Sequence, residues 1–281
     1  MSGGQGPGSG GGLGGVRVDD PDGLLCVAVG NDRTEVGLLE DGEVLAHWQL
    51  TTREQRTADE WWVLLTGLLG GRLERLRGVA VASAVPAVLQ QWRAMLDTRL
   101  AEVPCVVVEP GVRTGIPVRT ENPREVGTDR VVDALAALRR YGAPVVVVHL
   151  GTATCLEVVT AAGVYVGGVI APGAETSLEG LRRRAAQLRE VELVRPPAVV
   201  ARNTVEALQS GAVYGAAAMV DGLVARVLAE EGLAAADTRV VATGHLAHLV
   251  APECASVTDH DPWLTLRGLE LVHARNSHRR P

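Results

Sequence analysis

Leu24-Leu25-Cys26-Val27-Ala28-Val29-Gly30 and Val145-Val146-Val147-Val148-His149-Leu150-Gly151 are two apolar runs, each closed by a glycine. Each is followed by a tight loop and then by two segments around a second glycine, Gly42 or Gly163. Gly30 falls on Gly151, Gly42 on Gly163 and Ala28 on His149, a constant offset of 121. An internal repeat outranks any single motif as evidence of architecture. Short β-branched runs bounded by turn residues read as strands, and Asp41-Gly42 is a hairpin signal. The repeat therefore predicts two similar α/β lobes that face each other, with phosphate-sized ligands seated where the two glycine loops meet.

Working outward, Arg33–Glu40 and Glu43–Leu50 complete the first unit, and Cys155–Thr160 with Val164–Ile170 complete the second. Thr57–Leu69 has helical periodicity, with Thr57 and Glu60 spaced as a capping box. Val79–Ser83 reads as a buried strand, Pro86 opens a helix to Leu100, and Val106–Val108 is a strand. Residues 109–127 form a loop rich in Pro and Gly, and Thr128–Tyr141 is helical. Further helices are predicted over Glu175–Leu188, Asn203–Glu231 and Trp263–Arg275, with a strand at Thr238–Thr243. The division implied is a Gly-rich tail at 1–22, an N-terminal lobe at 23–142 and a C-terminal lobe at 143–281. Residues 1–15 are mostly Gly and are expected to be a flexible, dispensable tail.

Composition narrows the function classes. The 281 residues carry a net charge of −6, which disfavours nucleic acid as the main partner. All 27 basic residues are arginine, so neither a P-loop lysine nor a Schiff-base lysine is available. The four cysteines form no C-x-x-C pair and read as buried free thiols. No uninterrupted apolar run of membrane-spanning length and no signal-peptide pattern is seen, so the expectation is a cytoplasmic protein without a membrane partner.

The local motifs resemble those of type III pantothenate kinases, in the actin-like ATPase and sugar kinase superfamily. They are Arg56-Thr57-Ala58-Asp59-Glu60, the loop Glu109–Gly115, the segment Asn122–Arg130, Gly151-Thr152-Ala153-Thr154, Gly167–Gly173 and Asn203–Gly211. The resemblance covers Leu24 to Asn276. It implies a duplicated, two-lobed, ribonuclease H-like α/β fold. It also implies ATP-dependent phosphorylation of pantothenate, the first step of coenzyme A biosynthesis, with Mg²⁺ and a monovalent cation (K⁺ or NH₄⁺). By the same resemblance Asp129 is the general base. Gly127, Arg130 and Thr204 bind substrate, and Gly30, Asn31, Gly151, Thr152, Thr154 and Gly244 surround the nucleotide. The family is dimeric, and the helix from Asn203 carries Ala207, Leu208, Gly211, Ala212, Gly215, Ala216 and Ala218, a set rich in small residues that would permit close packing, so a homodimer is expected.

The chain departs from the family where charge matters most. An Asp-x-Gly-Asn-Thr loop is replaced by Ala28-Val29-Gly30-Asn31-Asp32, and an Asp-Phe-Gly-Thr-Ala-Thr loop by His149-Leu150-Gly151-Thr152-Ala153-Thr154. A Gly-Gly pair is replaced by Gly244-His245. Two of three expected aspartates are thus Ala28 and His149. Mg²⁺ takes hard oxygen ligands; alanine supplies none, and histidine suits softer metals and is mostly uncharged near pH 7 unless perturbed. Asp32, four residues along the loop, is the candidate replacement ligand. His245 and His248, three apart, read as ordinary helix residues and not as a metal pair. Trp61-Trp62 reads as packing.

Three functions stay open at this point. One is a degenerate paralogue, a pseudokinase that binds ligands and acts as a regulatory or partner subunit, with no cofactor of its own. The second is a working kinase in which Asp32 and Glu157 compensate. The third is a phosphotransferase or hydrolase turned to another substrate.

Overall fold

A computed structural model describes residues 23–184 and 191–277. The proposed tail, and the end of the helix predicted to run to Leu188, lie outside these residues. The first unit consists of β1 (Leu24–Val29), β2 (Arg33–Glu40) and β3 (Glu43–Thr51), followed by α1 (Ala58–Leu69), β4 (Gly78–Ser83), α2 (Pro86–Arg99), β5 (Cys105–Val107) and α3 (Thr128–Tyr141). The second unit consists of β6 (Val145–Leu150), β7 (Ala153–Val159), β8 (Tyr165–Pro172), α4 (Ala174–Arg184), α5 (Thr204–Glu230), β9 (Arg239–Thr243), α6 (Ala247–Val250), β10 (Asp259–His260) and α7 (Leu264–Asn276).

The duplication is explicit in the sheets. One has the order β3-β2-β1-β4-β5 and the other, read from the same end, β8-β7-β6-β9-β10. In each, the hairpin is antiparallel and the later strands add in parallel. The central strands β1 and β6 are apolar on both faces because helices cover both. Leu25, Val27 and Val29 pack outward with Trp61, Leu65 and Trp92 of α1 and α2. Val146, Val148 and Leu150 pack outward with Ala216, Val220 and Val224 of α5. The alternate residues Leu24, Cys26, Val145 and Val147 face inward, onto α3 and α7. These two helices form a layer between the sheets.

Packing crosses the midpoint of the chain. α3 lies against β6 and β7, and α7 lies against β1, β2, β4 and β5. The two helices also pack on each other.

Local signals explain several boundaries. Thr57 accepts from the Glu60 backbone N–H while the Glu60 carboxylate accepts from the Thr57 N–H, closing the capping box. Gly42 and Gly163 take positive φ in their hairpin turns. Trp61 is fully buried, with its ring 5.0 Å from that of Trp92. One expectation is corrected. None of the four thiols is in a disulfide, but only Cys26 and Cys254 are buried; Cys105 begins the short edge strand β5 and is exposed. α5 is long and apolar enough to pass for a membrane span, yet Val213, Val220 and Val224 are buried in the second lobe. Its Asp221 accepts hydrogen bonds from the Ala255 and Ser256 backbone N–H groups at 3.0 and 2.9 Å.

Candidate functional site

The inward faces of β1 and β6 end, by strand alternation, in Ala28 and His149. Both residues line a cleft between the lobes. Two adjoining cavities share Gly30, Asn31, Asp129, His149 and Thr152. The glycine loops meet as the duplication requires: Thr152 Oγ1 donates to Asp32 Oδ2 at 2.6 Å, joining one loop to the other.

His149 does not stand alone. Its Nδ1 lies 2.8 Å from Oδ2 of Asp133 on α3. The other oxygen of Asp133 accepts from Thr265 Oγ1 of α7 at 2.6 Å. Asp133 is 1% exposed, whereas 31% of the His149 side chain is open to the cleft. Burial alone would push the imidazole pKa down; the hydrogen bond and charge of Asp133, reinforced by Asp129 and Glu35, outweigh it and raise it to about 9. Asp133 is thus the perturbation that favours the charged form of this ring.

Glu35 sits opposite Ala28 in the β1–β2 register. Cross-strand neighbours of this kind share a sheet face about 5 Å apart, so a carboxylate stands beside the alanine, one strand away. Burial raises the Glu35 pKa, with His149 opposing that shift. On the other side of the cleft, Arg130 Nε donates to Glu157 Oε1 at 2.6 Å and Tyr165 donates to Oε2 at 2.6 Å. Glu157 is fully buried, and burial raises its pKa against those two donors.

The other sequence candidates divide. Asp129 faces both cavities and Arg130 faces the second. Gly127 caps the start of α3, where a Cβ would come 2.7 Å from Asp129 Oδ1. Gly244 adopts φ +92, and a Cβ there would strike the Leu150 carbonyl at 2.4 Å, so the backbone approach itself demands glycine. Its neighbour His245 lines the cleft 3.4 Å from Glu175, with its pKa lowered by burial. Thr154 is buried in β7, and Thr204 is exposed at the start of α5; neither lines the cavities. His248 bonds the His245 carbonyl.

Asp133 and Glu35 escaped the sequence reading, though both had signals. Asp133 is one helical turn from Asp129, hence on the same face. Glu35 follows from the two-residue turn between Gly30 and Arg33, which fixes its pairing with Ala28.

The donor set does not suit Mg²⁺. Ala28 offers no oxygen, the His149 imidazolium is a charge of the wrong sign, and one Asp32 oxygen is taken by Thr152. Among the described residues no group of three His, Cys, Asp or Glu side chains is arranged to hold a metal ion.

A family model described as type III pantothenate kinase matches residues 24–226. The type III pantothenate kinase of Nocardioides sp. is 58% identical over 255 residues, covering 90% of this chain and 99% of that protein. That of Thermobifida fusca is 49% identical over 260 residues, covering 90% and 100%. Among solved structures, component A of the (R)-2-hydroxyglutaryl-CoA dehydratase of Acidaminococcus fermentans aligns with TM-score 0.53 at 13% identity, over 91% of this chain and 99% of that one. The inorganic polyphosphate/ATP-glucomannokinase of Arthrobacter sp. aligns with TM-score 0.50 at 15% identity, over 90% and 98%. These two likenesses establish the two-lobed actin-like fold.

Proposed function

This chain belongs to the type III pantothenate kinase family, and we propose that it keeps the ligand-binding cleft of that family while transferring phosphate at most slowly. In this reading it takes ATP and a pantothenate-like molecule, with Asp129 and Arg130 on the acceptor side and the two glycine loops on the nucleotide side. It serves as a regulatory or partner subunit. The observation that carries the reading is the His149–Asp133 ion pair, which puts positive charge at the place where the family resemblance calls for a carboxylate. Phosphoryl transfer is catalysed by positioning and by stabilising charge, and loss of one strong electrostatic element costs about 10²–10³ in rate. Asp129 lines both cavities, which supports reading it as the general base, with the alteration confined to the phosphate side.

A coupled ADP-release assay with and without pantothenate tests this on four proteins: wild type, Ala28→Asp, His149→Asp and the double variant. Wild type is expected below ~10⁻³ of the rate of a competent relative. The double variant recovers the most turnover and each single variant less, because the carboxylates act as a unit. Robust wild-type turnover that disappears in Asp32→Asn would sink the reading and make Asp32 a relocated ligand.

The assembly we propose is a homodimer through α5. Ala207, Gly211, Gly215 and Ala218 lie exposed along it, and a Cβ at Gly211 or Gly215 would meet nothing within 4 Å. A single monomeric boundary in sedimentation velocity at micromolar concentration would exclude it.

A further inference from the structure

The cleft has not simply lost its carboxylates. Ala28 has a carboxylate beside it on the next strand, Glu35, and His149 has one behind it, Asp133. With Nδ1 committed to Asp133, the other ring nitrogen, Nε2, lies beside the nucleotide loop: a Cβ built at Gly151 would sit 3.4 Å from it. The ring therefore presents one N–H to the cleft and is held at the back by a buried acceptor, which is itself held by Thr265. This orientation does not depend on a ligand, because three elements (β6, α3 and α7) fix it.

We propose that a phosphate-bearing ligand docks between the two glycine loops without a divalent cation, the His149 imidazolium supplying through Nε2–H the positive charge that a metal would supply. The proposal rests on the reading of the cleft as a nucleotide site. A metal at this place shields phosphate charge and orients it; a fixed imidazolium shields and orients through one charge-assisted hydrogen bond. The groups facing the ring are Asp129 and Asp133 of α3, Glu35 of β2 and His245 after β9, with Arg33 at the cavity rim. Asp133 is satisfied by the ring and by Thr265, and burial works against the charge on Glu35. Among the described residues an incoming phosphate must still avoid Asp129, which lines both cavities, and Asp32, whose carboxylate is engaged by Thr152 between the loops, while Glu175 lies against His245. Adding a dication to a cleft that already holds this fixed cation would introduce repulsion where the ordinary site has attraction.

Calorimetry on the full chain tests it, with ATP and then inorganic tripolyphosphate as probes, in excess EDTA and in excess MgCl₂. ATP is expected to bind as tightly in EDTA as in Mg²⁺, and tripolyphosphate to compete with it. His149→Gln keeps a hydrogen bond to Asp133 but loses the charge, and should weaken binding in EDTA by about tenfold or more, the size of one charge-assisted hydrogen bond. Asp133→Asn supplies a second arm. Wild-type affinity in EDTA should hold to high pH and fall as the pH passes about 9, and in Asp133→Asn that fall should move toward the ordinary imidazole range. Binding that needs Mg²⁺, or an affinity and pH profile unchanged in both variants, would overturn the inference and leave the nucleotide reading standing. No binding in either medium would overturn the nucleotide reading, and this inference with it.

Discussion

The two copies of the strand–loop–hairpin unit share a backbone plan and have opposite electrostatics. In the first, the inward end of the central strand is neutral Ala28, and the carboxylate paired with it across the strands, Glu35, is half-buried with no ion pair of its own among the described residues. In the second, the equivalent place is a cation with a dedicated counter-ion, and two strand positions inward the buried Glu157 is met by Arg130 and Tyr165. A duplicated fold thus fixes where a charge will stand, not its sign. The sheet needs apolar residues up to the last inward-facing position of β1 and β6, and leaves that position free because it opens onto the cleft.

The sharpest way to break this contrast is to strand a charge in the second copy. Arg130→Ala leaves fully buried Glu157 with only the Tyr165 hydroxyl and should cost about 3–5 kcal/mol in denaturant unfolding; a loss below 1 kcal/mol would show that Glu157 is held neutral in the folded state. Next in size is a pH effect. The folded pKa of His149, about 9, lies above its ordinary 6.5, so the pair contributes stability that is fully present below pH 6.5 and is lost as pH rises through 9. The wild-type melting temperature should fall across that window, and Asp133→Asn should flatten the fall. An unaltered slope in the variant would remove Asp133 as the cause. In the first copy, Thr57→Ala opens the capping box of α1 and should cost about 1 kcal/mol. The smallest effect is expected at Glu35. Its folded pKa is raised, so its ionisation opposes folding above the ordinary carboxylate range, and Glu35→Gln should leave stability unchanged or slightly higher in thermal melts at pH 7. A clear loss there would mean that Glu35, like Glu157, has a partner that matters.

Most of the architecture was legible because the fold repeats itself. Thr128–Tyr141 and Val145–Leu150 have the bounds read from periodicity, and the capping box at Thr57 closes as its spacing requires. α6 and β10 were missed, being one turn and two residues long, too short for any period to register. In the site, the sequence showed which carboxylates were gone but not which had come near. Asp133 reaches His149 from another element, and the charge on the ring follows from that contact. Thr204, assigned to substrate from its motif, is exposed at the head of α5 and lines neither cavity.

The exchange of helices between halves sets the order in which this molecule can be made. Leu24, Cys26, Ala80 and Ala82 on the inner face of the first sheet are covered by Leu264, Leu266 and Leu269 near the other end of the chain. As the polypeptide emerges from the ribosome, the α7 side of that face stays open until about 180 (from Ala82) to 240 (from Leu24) further residues have been synthesised. Neither half can mature alone, and loop closure over most of the chain must precede the last burial, which slows folding. A nascent chain arrested before Leu264 would lack the residues that close this face, so the thirteen-residue helix α7 acts as its clasp.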